Sequence, residues 1–157
     1  MTPTTYQFVV SGRELANVPA GSRIGGLSLR LDNQQFSWPA TEVVYNSYQV
    51  QVSRSLNSPS KMLDGFANNI RNGDLVTVRS GPLRIPAGGL PGPRGDGVPS
   101  AFGIVIPFTQ TFAYAGGDLV VTIRHSGGVP SSGTVASPSL DALSQGDLGY
   151  GSFVAAR

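Results

Sequence analysis

Alternation of apolar and polar residues dominates this chain. Leu27, Leu29 and Leu31 alternate with Ser28 and Arg30, and Tyr48, Val50 and Val52 alternate with Gln49, Gln51 and Ser53. Leu119, Val121 and Ile123 likewise alternate with Val120, Thr122 and Arg124. A period of two puts each apolar set on one face of a strand and leaves the other face mostly wet, as in an antiparallel sheet with one side on a core. Further strand-like stretches cover residues 6–10, 75–79, 83–85, 102–108, 134–136 and 151–155. About nine short strands at close spacing predict an all-β chain, folded as an antiparallel, jelly-roll-like β-sandwich.

Turn chemistry punctuates the strands. Asn72-Gly73-Asp74 precedes one and Ser80-Gly81-Pro82 separates two; Gly116-Gly117-Asp118 opens another, which Gly127-Gly128-Val129-Pro130 ends. Helical signal is confined to residues 60–69 (SKMLDGFANN), where Ser60 offers an N-cap and Gly65 weakens the turn. The closing stretch SLDALSQGDLGYGS reads as loop before a last strand. No repeat and no boundary divides residues 1–157, so a single domain is expected.

One segment, GGLPGPRGDG at residues 88–97, poses a separate question. It falls between two strand-like runs and holds five glycines and two prolines. Proline cannot donate to a ladder and glycine weakens one, so the segment is a surface loop. Two collagen-like triplets cannot sustain a triple helix, which needs glycine at every third position over a long run. The Arg94-Gly95-Asp96 triplet is an adhesive candidate, since a loop tip is where such a triplet would work. Gly-Asp is also an ordinary turn pair, and the turn reading is preferred.

Composition narrows the function classes. Charged residues make up only 13% of the chain, about half the usual share. Yet hydrophobic residues reach 39%, so the chain lacks the high charge and low apolar content of a disordered one. The net charge of +2 comes from scattered residues and implies no nucleic-acid partner. With no cysteine, disulfides, thiolate zinc sites and a cysteine nucleophile are excluded. The start, MTPTTYQFVV, has neither the basic nor the apolar region of a signal peptide. The longest apolar runs, such as Ile104-Val105-Ile106, are too short to span a bilayer, so no membrane insertion is expected.

Catalytic and metal-binding patterns are sparse. His125 is the only histidine, no G-x-S-x-G elbow accompanies it, and the nine acids sit singly, mostly in turn-like positions. The D-x-D-x-D-G calcium pattern is absent. These features predict no catalytic residues, no metal and no cofactor. Phe36, Trp38, Tyr45 and Tyr48 form an aromatic window, and an exposed Trp38–Tyr45 platform would stack on a sugar ring. Large rings more often fill a core, where they contribute most burial, and that reading is preferred for Trp38 and Tyr48.

The stretch FANNIRNGDLVTVRSGPLRI, with IVIPFTQTFAYAGGDLVVTIRHSGG after it, resembles a domain of exported bacterial proteins of the PEP-CTERM class. The matching residues, in order, are Phe66, Ala67 and Asn69; Val78, Gly81 and Leu83; Pro107, Phe108, Phe112 and Tyr114; and Gly117, Leu119, Ile123 and Arg124. They cover roughly residues 66–128. The signal peptide, the hydrophobic sorting helix and its basic end that mark the class do not occur in this chain. The resemblance implies a β-sandwich at the cell surface or in an extracellular polysaccharide matrix, and it carries over no catalytic set.

The expected function is therefore a non-catalytic extracellular structural or adhesive protein that self-associates or contacts polysaccharide. Its binding candidates are Trp38, Tyr45, Arg94, Gly95 and Asp96. The alternatives are a carbohydrate-binding module and a virion surface or decoration protein, since jelly rolls are common in capsids.

Overall fold

A computed structural model describes residues 1–32, 36–95 and 98–140, together with the backbone of Phe153–Ala156. The protein is all-β, with antiparallel sheets and no α-helix among the described residues. In chain order the strands are β1 (Thr4–Val10), β2 (Arg23–Ser28), β3 (Val43–Tyr45), β4 (Tyr48–Arg54) and β5 (Val76–Arg79). They continue with β6 (Leu83–Ile85), β7 (Val105–Ala113), β8 (Leu119–His125), β9 (Gly128–Pro130) and β10 (Phe153–Ala156). One five-stranded sheet runs β10-β1-β8-β4-β5, a two-stranded sheet pairs β2 with β7, and a three-stranded sheet runs β6-β3-β9.

β8 is the spine of the larger sheet. It pairs along its whole length with β1, from Thr4↔His125 to Val10↔Leu119, and with β4, from Tyr48↔His125 to Arg54↔Leu119. The core takes Leu119, Val121 and Ile123 of β8, with Tyr48, Val50 and Val52 of β4. Val43 and Tyr45 of β3, Leu83 and Ile85 of β6, and Ile106 and Phe112 of β7 join it. Two side-chain bonds tie β5 to β7: Thr109 donates to the Val78 carbonyl at 3.1 Å and Arg79 to the Pro107 carbonyl at 3.0 Å.

The second face of β8 differs from the wet face that alternation predicts. Val120 and Thr122 are only 1% and 7% exposed. The segment between β4 and β5 covers this face, and it too departs from expectation. In place of a short helix over residues 60–69 it forms two 3-10 turns, Pro59–Lys61 and Phe66–Asn69. Neither has a side-chain cap, so nothing offsets the unpaired amides that a longer helix would leave at its start.

Asn69 fastens this cover from below. It is fully buried, and its amide donates to Gln7 Oε1 at 2.9 Å and to the Leu63 carbonyl at 2.7 Å. Its Oδ1 accepts from Leu63 N at 2.9 Å and from Asn57 Nδ2 at 3.0 Å. Gln7 in turn donates to Thr122 Oγ1 at 2.8 Å. Every polar atom that the two buried amides bring inside is thereby engaged, as burial requires.

Other expectations shift at their ends. The strand expected over 102–108 begins at Val105 and runs on to Ala113. Residues 134–136 form no strand, and the Ala136 carbonyl accepts from the Trp38 indole instead of from a ladder partner. Leu31 lies beyond β2 and is fully buried, in an isolated bridge to Leu140. The expected terminal strand appears as Phe153–Ala156, paired with Thr5–Phe8 of β1, while residues 151 and 152 lie outside the described residues. So does most of the SLDALSQGDLGYGS stretch.

Gly128–Pro130, expected to be only a turn, pairs with β3. A Cβ at Gly128 would lie 2.6 Å from Val43 Cγ1 and would strike Met1, so glycine is what allows the approach.

Candidate functional site

Two of the sequence candidates are core residues. Trp38 is 8% exposed and Tyr45 is 4% exposed, so neither offers a ring face to solvent. Trp38 and Leu90 exchange backbone hydrogen bonds at 2.8 Å in both directions, and the indole Nε1 donates to the Ala136 carbonyl at 2.9 Å. This satisfies the one polar atom of the ring.

Phe36 is the exposed member of the aromatic window. It is 93% exposed and stands at a shallow depression of about 330 Å³. The floor and walls are Ser37, Trp38, Ala40 and the 134–136 segment. No charged side chain lines it, and its polar groups are hydroxyls and backbone. The Ser37 hydroxyl accepts from Gly92 N at 3.0 Å, which fixes the depression to the Pro/Gly loop. A flat apolar ring beside neutral hydroxyls suits a neutral, hydroxyl-rich ligand better than an ion.

Tyr45 belongs to a different cluster. Its ring meets His125 edge-on at 5.0 Å and Tyr48 at 5.3 Å, while Tyr48 stacks on His125 at 6.1 Å with the planes 9° apart. Tyr6 closes the group at 6.1 Å from His125. Burial pushes the hydroxyls of Tyr6, Tyr45 and Tyr48 up from their ordinary pKa. It also lowers the His125 pKa, with a smaller contribution from the Met1 ammonium. His125 Nδ1 accepts a hydrogen bond from Gly127 N at 3.1 Å, and that bond needs the neutral imidazole. The lone histidine is thus a packed, hydrogen-bonded part of the strand end.

In the Pro/Gly loop, Arg94 and Gly95 are exposed. Gly95 has φ +81°, a conformation that favours glycine, and its carbonyl accepts from Val98 N at 3.1 Å. Asp96 lies outside the described residues. The five sequence candidates therefore do not form one site: Trp38 and Tyr45 are in the core, and Arg94 and Gly95 are on a surface turn.

Sequence reasoning did not single out Gln7, Asn69 and Thr122, the buried polar network. Asn69 was visible only as part of the F-A-x-N element, and Gln7 only as a polar residue between Tyr6 and Phe8.

Among the described residues no group of three or more His, Cys, Asp or Glu side chains could hold a metal ion. No described helix is long and apolar enough to cross a membrane. No protein-family model matches the chain, and comparison with curated proteins and with solved structures finds no match.

Proposed function

We propose that this protein is a non-catalytic structural or adhesive component of the cell exterior, its sheets stacked as a jelly-roll-like sandwich. It holds polysaccharide or further copies of itself without transforming them. One observation carries this reading: the one histidine and the buried amide side chains are taken up by the fold. His125 is packed among three tyrosines, and Gln7, Asn69 and Thr122 bind one another. The Asp118 carboxylate accepts from Gly12 N at 2.7 Å. The outside is left with few charges and many hydroxyls, a surface that packs beside hydrated polymer without strong fields. The resemblance to PEP-CTERM-class domains supplies the proposed compartment.

The test is cosedimentation of the purified protein with extracellular polysaccharide, alongside its mass in solution over a concentration series. Retention or concentration-dependent oligomers are expected. A strictly monomeric protein that binds no polysaccharide overturns the proposal.

A carbohydrate-binding module is the second reading, and the exposure of Phe36 favours it. Binding on a glycan array should be lost in Phe36→Ala, whose fold is unaffected because the ring is in solvent. Array binding that Phe36→Ala leaves unchanged removes this depression as the site.

A further inference from the structure

The Asn72-Gly73 turn combines sequence and exposure in a way none of the other described asparagines does. It follows the second 3-10 turn and leads into β5. Its flanks are held: Arg71 N donates to the Arg54 carbonyl at 3.1 Å, and Asp74 N donates to the Arg71 carbonyl at 3.1 Å, closing the turn. The Asp74 carboxylate meets Arg54 Nε at 2.5 Å and Nη2 at 3.2 Å, with Arg71 Nε at 3.8 Å. Between these anchors Asn72 and Gly73 are both exposed. Gly73 has φ +84°, and a Cβ built there would meet nothing within 4 Å. The space beside its Cα is open, and the residue has no side chain to shield its nitrogen.

We infer that Asn72 is a site of spontaneous deamidation through a cyclic imide. The Gly73 backbone nitrogen gives up its proton and attacks the Asn72 side-chain carbonyl carbon, Cγ. A C–N bond forms, the Cγ–Nδ2 bond breaks, and the side-chain nitrogen leaves as ammonia carrying the proton. Water then opens the five-membered ring at one of its two carbonyls. Opening one way gives aspartate; opening the other gives isoaspartate, in which the main chain runs through Cβ and Cγ. No oxidant or cofactor is needed.

The other described asparagines lack this combination. Asn17, Asn46, Asn57, Asn68 and Asn69 are followed by Val, Ser, Ser, Asn and Ile, whose side chains obstruct attack by the following nitrogen. Asn69 is in addition buried and held by its amide on both sides. The product has consequences where it forms. The new carboxylate stands beside Arg71 and Asp74, and net charge falls from +2 by one. An isoaspartate lengthens the turn just where the chain enters β5.

The test is incubation of the folded protein in mildly alkaline buffer at physiological temperature, followed by peptide mapping and isoaspartate labelling by the methyltransferase assay. The peptide holding Asn72 should convert from amide to acid before any other asparagine peptide. Ion exchange should resolve one more acidic species, and both signals should be lost in Asn72→Gln. A second variant, Gly73→Asn, keeps a residue type that tolerates positive φ while obstructing the nitrogen, and should suppress the conversion. An intact Asn72 amide in samples where another asparagine has converted overturns the assignment. So does an acidic species that persists in Asn72→Gln.

Discussion

Asn69 shows how much one polar residue can hold. Its side chain is the junction between the cover segment and β1, and removing it strands the buried Gln7 Oε1 and takes away both bonds to the Leu63 backbone. Asn69→Ala should therefore cost about 1–3 kcal/mol, the range for leaving a buried polar group unpaired. Urea unfolding would show it, and exposed Asn68→Ala should fall within about 0.5 kcal/mol of wild type. His125 supplies a second residue-scale expectation. Burial favours its neutral form, so its pKa in the folded protein lies below the ordinary 6.5. Its contribution to stability is present above that ordinary value and is lost as pH falls through the lowered folded value. Protonation would also turn Nδ1 from acceptor into donor against Gly127 N, with the Met1 ammonium and Tyr6, Tyr45 and Tyr48 as the neighbouring titratable groups. Denaturation between neutral and mildly acidic pH should show this slope. It should flatten in His125→Phe, which keeps the ring packing and removes the titration.

At the scale of elements, strands β4 and β8 were legible because an apolar residue recurs at every second position from Tyr48 to Val52 and from Leu119 to Ile123. β3 and β9 have three residues each, too few to show a period, and their pairing depends on partners distant in sequence. Helical chemistry at 60–69 was real but local: without caps the backbone settled into two single turns, and long-range bonds from Gln7 fixed where they lie. β8 is the element on which most depends, being paired on both edges and covered on both faces. Ile123 at its centre is fully buried. Ile123→Ala should cost about 2–5 kcal/mol through lost transfer and the cavity left behind, read as a fall in the urea midpoint at constant slope. Val105→Ala, on the 66% exposed start of β7, should change the midpoint little.

For the whole molecule, charge is the property that sets expected behaviour. A chain with 13% charged residues and a net charge of +2 has little field to screen. Retention on neutral polysaccharide should therefore change little between low and high salt; release by moderate salt would point to scattered arginines in place of ring stacking and hydroxyl contacts. The candidate site was legible only in outline. The sequence located an aromatic window over residues 36–48, with Trp38 and Tyr48 preferred as core rings as the structure has them, but it could not assign Phe36 and Tyr45 to a side. Periodicity, turn residues and low charge were enough to determine an all-β, antiparallel, weakly charged protein, because those signals act between neighbours in the chain. The burial of Tyr45, the exposure of Phe36 and the covered second face of β8 were decided only by tertiary structure. Each depends on which distant segment comes to rest against it, and no local pattern encodes that.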